Sequence, residues 1–250
     1  MVTGRGGSDV LVACAPLAVA GARHDLLSPA ESARAAAYPP MRAREFTAGR
    51  ALLRWALARR LGPGARTCRI GVTGRGKPVL EDLSSAGISI SHSGETVAVA
   101  VSAGVAVGID AQAPVPPTPG LLSRCCSPEQ QRELFALPPE RRAAALARRW
   151  TIHEACAKAT GEGLTRRPRI CPGPLLADTG RWCHLGWRAL PPVLECALAV
   201  AFSRPAERAV VRVALVKDLG PLPGDAAAGT AYGQPPLVHD RFSQKKAGRR

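Results

Sequence analysis

Two carboxylates in the sequence have surroundings that suit a metal ligand or a general base. Asp110 follows an apolar segment at the mouth of a predicted buried strand, where a carboxylate is solvated, caps a turn or binds a hard cation. Gln112 shares the strand face of Asp110, so its amide oxygen could ligate the same ion. Glu154 shares a helix face with Trp150 and Lys158, where a plain surface Glu–Lys pair is the alternative interpretation.

A second segment, Ile88-Ser-Ile-Ser-His-Ser-Gly94, is typical of a strand that ends in a turn. Ser91 and Ser93 would share one face and His92 the other, since alternate strand residues point to opposite sides. Adjacent Ser and His therefore cannot form a nucleophile–base pair, which excludes a serine hydrolase. His92 could instead donate to a phosphate, and a purely structural histidine is an equal alternative.

The segment from Gly71 to Pro78 nearly matches the G-x-x-x-x-G-K-[ST] phosphate loop. Pro78 has neither a hydroxyl for magnesium nor an N–H for a phosphate, which argues against a nucleotide triphosphatase. A flexible loop that presents Arg75 and Lys77 to a phosphate remains open. On these residues alone, a basic surface turn is favoured.

The composition favours an anionic partner and a reducing compartment. The net charge is +15, which suits nucleic acid, a phosphorylated small molecule or an acidic protein. Aromatic residues make up 4%, too few to favour stacking on single-stranded nucleic acid. None of the eight cysteines forms a C-x-x-C pair, so we expect free thiols in the cytoplasm and no zinc ribbon.

Two apolar stretches are predicted to form strands. Residues 10–20 follow Arg5 and resemble a signal peptide, but Asp9 and Pro16 fit that poorly, so we expect a first strand. Residues 97–112 contain two apolar runs around a Ser-Ala-Gly turn, which predicts a hairpin. No apolar run approaches the ~20 residues of a membrane span.

A shift of 99 positions aligns the chain with itself and indicates a repeat. Residues 28–64 match residues 127–163 at 12 of 37 positions. Both copies begin with a Ser-Pro pair typical of a helix N-cap, and both contain a glycine, Gly62 or Gly161, typical of a helix end. The pattern predicts two similar α+β halves, and chance similarity in an Ala- and Arg-rich chain is the alternative.

The repeat and the Pro-rich segment between its copies predict an N-terminal α+β subdomain over residues 1–112 and a C-terminal α+β subdomain over residues 121–219. A stiff Pro-rich connector over residues 113–120 would join them. Residues 220–250 are rich in Pro, Gly and Ala before a basic end, and we expect a disordered tail there.

Taken in this order, the segments resemble the 4′-phosphopantetheinyl transferase superfamily, in its two-domain surfactin-synthetase-activating form. The resemblance spans residues 10–215, including a helix with an Arg before Ala-Leu-Leu. The matching stretches are Gly76-Lys-Pro78, Ile90-Ser-His-Ser-Gly94, Val107-Gly-Ile-Asp110, and Trp150 to Lys158 with Gly161-x-Gly163-Leu164.

The resemblance implies a monomeric α+β fold of two similar α/β subdomains related by a pseudo-two-fold, with the site between them. It implies a Mg²⁺ site, or Mn²⁺ in its place, formed by Asp110, Glu154 and Gln112. Glu154 and Lys158 would be the catalytic residues. The residues that would bind coenzyme A are Arg34, Arg50, Lys77, Ser91, His92, His153 and Lys158, with Arg34 and Arg50 on the adenosine 3′-phosphate.

The implied activity is transfer of 4′-phosphopantetheine from coenzyme A, the co-substrate, to a serine hydroxyl of an apo acyl or peptidyl carrier protein, with release of 3′,5′-ADP. Such carriers belong to polyketide, non-ribosomal peptide or fatty-acid synthases. The implied partners include no nucleic acid and no membrane. The excess positive charge suits both coenzyme A and an acidic carrier.

The sequence departs from the family pattern at three positions. Gln112 replaces a frequent second carboxylate, His153 a frequent Lys, and Ser89 a frequent Asn. His153 would make one phosphate contact sensitive to pH near ~6.5. A basic nucleic-acid-binding protein without catalysis, and a degenerate transferase fold kept as an interaction module, are the alternative hypotheses.

Overall fold

The computed structural model describes residues 9–161, 173–203 and 209–220. The strands in these residues are β1 (Asp9–Pro16), β2 (Ile70–Val72), β3 (Pro78–Leu80), β4 (Ala86–Ser93), β5 (Thr96–Ala103), β6 (Val107–Gln112), β7 (Thr179–Trp182), β8 (Leu185–Val193), β9 (Cys196–Phe202) and β10 (Val210–Leu215). The α-helices are α1 (Leu17–Gly21), α2 (Pro29–Ala36), α3 (Pro40–Leu61), α4 (Pro119–Cys125), α5 (Pro128–Ala136) and α6 (Pro139–Thr160).

The first sheet has the strand order β10-β1-β5-β4 and packs against α3. Strand β1 runs antiparallel to β5 and parallel to β10. Side chains from the middle of α3, such as Leu52, Leu53 and Leu57, are fully buried against one face of this sheet. Strands β2 and β3 form a separate hairpin that precedes β4.

The second sheet has the strand order β6-β9-β8-β7, entirely antiparallel, and packs against α6. Ile152 and Cys156 of α6 are buried against Trp187 and Ala199 of the sheet. The outer faces of β1 and β5 share another apolar core with β6 and β9, so the two sheets pack onto each other.

The structure confirms a mixed α+β fold and the helical part of the predicted repeat. Ser28 and Ser127 both cap their helices with complete capping boxes. Helices α3 and α6 both have 22 residues and begin 99 positions apart. Gly62 and Gly161 follow their last residues with positive φ, a conformation that costs glycine little. The pseudo-two-fold and the monomeric state stay predictions.

The predicted hairpin over residues 97–112 is wrong. Both edges of β5 are occupied by β1 and β4, so β6 leaves this sheet and pairs with β9 instead. The second sheet therefore begins at β6, before the predicted division at residue 112. Strand β10 returns from the C-terminal part of the chain to the first sheet.

The remaining boundary predictions have mixed outcomes. Residues 113–118 of the predicted connector form neither helix nor strand. Residues 10–20 form most of β1 and the start of α1, which confirms the first strand. The predicted tail, from residue 221 onward, and the Gly163-Leu164 pair lie outside the described residues. In the described part of the chain, no helix combines the length and apolar character needed to cross a bilayer.

Candidate active site

Strand β4 of the first sheet, strand β6 of the second sheet and helix α6 meet at one oxygen atom. Oδ1 of Asp110 accepts a hydrogen bond from Ser91 Oγ at 2.7 Å and from Lys158 Nζ at 2.7 Å. Lys158 Nζ also donates to Ser91 Oγ at 3.0 Å. The three side chains therefore form a closed triangle, although they come from three different elements.

The second carboxylate oxygen of Asp110, Oδ2, is not part of this triangle. Only 5% of Asp110 is exposed, and Oδ2 has no hydrogen-bond partner among the described residues. Burial without a partner is unfavourable for a charged oxygen. Oδ2 is therefore a candidate for a ligand that the protein alone does not provide.

Gly108 explains why Asp110 can come this close to α6. A Cβ atom at Gly108 would overlap the carbonyl oxygen of Ala155 and crowd the backbone nitrogen of Ala159. The absence of a side chain lets the backbone of β6 lie directly on the helix. Asp110, two residues on, then lies within hydrogen-bonding distance of Lys158.

Glu154 lies one helical turn before Lys158 and is partly buried. Burial raises the pKa of its carboxyl above the ordinary value, and the nearby Asp110 carboxylate adds to the rise. Lys158 opposes the rise, with smaller contributions from His153 and Arg124. Asp110 and Glu154 therefore interact as two like charges beside one ammonium, an arrangement that a bound cation would relieve.

His92 faces away from Ser91, as the strand alternation predicted, and contacts helix α3. Its Nε2 lies 3.3 Å from Arg42 Nη1, and its Nδ1 lies 3.4 Å from Glu45 Oε1. Burial lowers the pKa of His92, Glu45 raises it and Arg42 lowers it. Lys158 and Asp110 also act on this pKa, so His92 belongs to the electrostatic surroundings of the triangle.

Arg34 and Arg50 lie in a row of alternating guanidinium and aromatic groups on α2 and α3. The guanidinium of Arg50 lies 5.2 Å from the Phe46 ring centre, and that of Arg34 lies 5.7 Å from the same ring. Arg42 lies over Tyr38 at 5.7 Å and continues the row to His92. The row therefore links the two predicted 3′-phosphate residues to the end of β4.

Arg50 differs from Arg34 in its burial. Arg34 is exposed, whereas Arg50 is 6% exposed and lies 3.7 Å from Glu31. Burial lowers the pKa of Arg50, Glu31 raises it, and the neighbouring arginines lower it. Nη1 of Arg50 is buried without a hydrogen-bond partner among the described residues.

Three other predicted residues make different contacts. Lys77 Nζ donates to the carbonyl oxygen of Ala159 at 2.7 Å, near the end of α6. His153 is 3% exposed and packs against Trp150 and Trp182, with ring centres 6.3 and 6.5 Å away. Nε2 of Gln112 donates to the carbonyl oxygen of the next residue.

Parts of the chain are similar to known proteins of one superfamily. Residues 106–185 match the family model of the 4′-phosphopantetheinyl transferase superfamily. The chain is 35% identical over 138 residues to the 4′-phosphopantetheinyl transferase HetI of Nostoc sp., covering 53% of this chain and 58% of that protein. It is 31% identical over 117 residues to a 4′-phosphopantetheinyl transferase of Bacillus subtilis, covering 47% and 52%.

The chain is therefore similar to members of the 4′-phosphopantetheinyl transferase superfamily over about half of its length. A longer match, 29% identical over 195 residues, is to a putative 4′-phosphopantetheinyl transferase of Synechocystis sp. and covers 65% of this chain and 79% of that one. The matched segments span less than two thirds of the Nostoc and Bacillus subtilis proteins.

Sequence reasoning missed Arg42, Glu45 and the aromatic pair of Tyr38 and Phe46. A spacing signal was present, because an Arg or an aromatic residue recurs at every fourth position from 34 to 50. On a helix this spacing produces one stripe. The contact of Arg42 with His92 had no sequence signal, since it joins α3 to a strand 50 residues away.

Proposed function

We propose that this chain transfers the 4′-phosphopantetheine group of coenzyme A to a serine hydroxyl of an apo carrier protein, in the cytoplasm. Similarity to the superfamily model and to the transferase HetI supports the reaction class. The observation that carries the proposal is the Asp110 carboxylate, with Oδ1 bound by Ser91 and Lys158 and Oδ2 buried without a partner in the described residues.

The donor set fits a hard divalent cation. Asp110 and Glu154 offer carboxylate oxygens and Gln112 an amide oxygen, the ligand types that Mg²⁺ and Mn²⁺ prefer. The unpartnered Oδ2 and the raised pKa of Glu154 are two separate indications that the site lacks positive charge. When bound, the ion would neutralise charge on the coenzyme A phosphates.

Lys158 would bind a phosphate oxygen directly. An ammonium group has three N–H donors, and Lys158 directs two of them to Asp110 and Ser91. Because the side chain is 32% exposed, the remaining donor can meet a substrate from solvent. Arg42 would extend this positive surface toward the 3′-phosphate site of Arg34 and Arg50, and His92 would add an imidazole N–H donor.

Lys77 and His153 need a change of contact to meet a phosphate. Lys77 would have to leave the carbonyl oxygen of Ala159, and its lowered pKa, caused by burial, favours exchange for an anion. His153 would have to leave the space between two tryptophans. Both remain proposed contacts of coenzyme A.

Glu154 is the proposed base. In the reaction the serine oxygen forms a bond to phosphorus, the bond from phosphorus to the 3′,5′-ADP oxygen breaks, and the serine hydroxyl loses its proton. A carboxylate with a raised pKa accepts that proton more readily than an ordinary one. Lys158 stabilises the charge that develops on the phosphoryl oxygens.

The test is incubation of the purified chain with coenzyme A, Mg²⁺ and a panel of apo acyl and peptidyl carriers, followed by intact-mass measurement. The wild type should add one phosphopantetheine to at least one carrier. Asp110→Ala and Glu154→Ala should each reduce the rate by about 100-fold or more. Glu129→Ala, which removes an exposed ion pair on α5, is the matched control and should keep the wild-type rate.

Two outcomes would count against the proposal. Unmodified carriers in every wild-type reaction would contradict the transferase activity. Near-wild-type rates in the Asp110 or Glu154 variant would contradict the assignment of the site.

A further inference from the structure

Strands β4 and β6 are joined by side-chain hydroxyls instead of backbone pairing. In the part of the chain described, each lies at the edge of its own sheet. Besides the Ser91–Asp110 side-chain bond, three hydrogen bonds from the backbone of β6 and the residue after it connect them, here called the serine ladder. In each bond a backbone N–H donates to a serine Oγ. The N–H of Ile109 donates to Ser89 at 3.1 Å, that of Ala111 to Ser91 at 3.2 Å, and that of Ala113 to Ser93 at 3.0 Å.

The spacing of the ladder follows from strand geometry. Residues two apart on a strand face the same side, so the three serines of β4 form one row opposite alternate N–H groups of β6. An edge strand presents such N–H groups unpaired unless something covers them. The serine hydroxyls supply the missing acceptors, and the two sheets stay separate while their edges are held together.

The ladder brackets the residues proposed to bind the metal. Asp110 lies between the bonds made by Ile109 and Ala111, and Gln112 lies between those made by Ala111 and Ala113. Ser91, the middle serine, also donates to Oδ1 of Asp110. The backbone on both sides of each ligand is therefore tied to the opposite sheet.

We propose that Ser89 and Ser93 are positioning residues for this site. They touch neither Asp110 nor Lys158 in the described hydrogen bonds, and act through the backbone of β6. Their hydroxyls hold Asp110 and Gln112 at a constant distance from Glu154 on α6. The inference rests on the proposed function, since it assigns the ladder a role in metal and coenzyme A binding.

Ser93→Ala is the decisive variant, because Ser93 is only partly buried and its loss leaves the Ser91–Asp110–Lys158 triangle in place. Amide hydrogen exchange at Ala113 should accelerate about tenfold, the effect of losing one hydrogen bond. Calorimetry should show a several-fold weaker Kd for Mg²⁺ in the presence of coenzyme A. In transfer assays the Mg²⁺ concentration for half-maximal rate should rise, while the KM for the carrier stays unchanged.

Two further variants separate positioning from general stability. Ser93→Thr keeps the hydroxyl in a strand-compatible residue and should restore both exchange and Mg²⁺ affinity. Ser203→Ala is the matched control, because Ser203, just after β9, accepts a hydrogen bond at 3.0 Å from the N–H of Ala106, just before β6. It should leave Mg²⁺ affinity unchanged.

Unchanged exchange at Ala113 in Ser93→Ala would overturn the ladder itself. Faster exchange with unchanged Mg²⁺ affinity in Ser93→Ala would overturn the positioning role of the ladder. Failure of Ser93→Thr to restore the Mg²⁺ affinity would also overturn it. Absence of transfer in the wild type would contradict the proposed function, and exchange and calorimetry would still decide the ladder.

Discussion

Nζ of Lys158 lies 2.7 Å from Oδ1 of Asp110, although 48 residues separate them in the chain. This contact joins α6 to the edge strand of the second sheet, and Ser91 adds the first sheet to the same oxygen. An ammonium so close to a buried carboxylate compensates its charge only in part, since Oδ2 has no partner in the described residues. The Asp110 carboxylate therefore joins both sheets to α6 through Oδ1 and leaves Oδ2 for the proposed metal ion.

Gly108 should tolerate no side chain. Gly108→Ala would force β6 away from the backbone of α6 and should cost about 1–3 kcal/mol of unfolding free energy. It should also separate Asp110 from Lys158 and reduce transfer activity. Denaturant unfolding measures the first effect, and Gly120→Ala, which adds a methyl group in open space on α4, is the control.

The pH dependence of activity should report Glu154. Burial and Asp110 raise the pKa of Glu154 in the metal-free protein, and a bound cation opposes that rise. The rate should therefore fall as the pH drops through the Glu154 pKa, and this acid limb should lie at lower pH when Mg²⁺ is saturating. In Glu154→Gln most of the activity should be lost, and the remaining rate should no longer fall at low pH. A rate profile over pH for both proteins tests the assignment, and an unchanged limb in the variant would refute it.

The same shift has a consequence for stability. The folded protein binds the Glu154 proton more readily than the unfolded chain does, so this group favours folding below the unfolded pKa. That contribution is lost as the pH rises through the folded pKa. Glu154→Gln should therefore raise the Tm at neutral pH, and the gain should shrink in acid. Thermal unfolding of both proteins across this range is the measurement, and a lower Tm at neutral pH would contradict it.

The pKa of His92 should respond to its two neighbours in opposite directions. Glu45→Gln should lower it further, because Glu45 stabilises the charged imidazole, and Arg42→Met should raise it. Histidine NMR titration measures both changes. Arg44→Met is the matched control, because Arg44 lies on the same helix as Arg42 and Glu45 but pairs with Glu95, and it should leave the pKa of His92 unchanged.

Glu31 should be worth more to stability than its counterpart in the repeat, Gln130. Both complete a capping box, but Glu31 also pairs with Arg54 at 2.7 Å and Arg50 at 3.7 Å, all three being buried. Glu31→Ala leaves two buried guanidinium groups without a carboxylate and should cost about 3–5 kcal/mol. Gln130 also donates to the carbonyl oxygen of Gly173 but carries no charge, so Gln130→Ala should cost less, about 1–3 kcal/mol. Similar losses for the two variants in denaturant unfolding would show that the ion pairs add little.

Local signals account for what the sequence alone determined. The Ser-Pro starts and glycine stops marked α2, α3, α5 and α6, because caps and left-handed ends depend on a few neighbouring residues. Strand alternation likewise predicted that Ser91 and His92 face opposite ways. The candidate residues Asp110, Glu154 and Lys158 were selected by type and spacing, and their predicted roles remain to be tested.

Only the tertiary structure decided which elements are neighbours. Alternation describes the faces of a strand but not its partner, so the sequence suggested a β5–β6 hairpin where β6 in fact begins the second sheet. Nothing local indicated that β10 returns beside β1, that Arg42 meets His92, or that His153 is buried between two tryptophans. These contacts join distant residues, and they form because competing strand edges and apolar surfaces must all be covered at once.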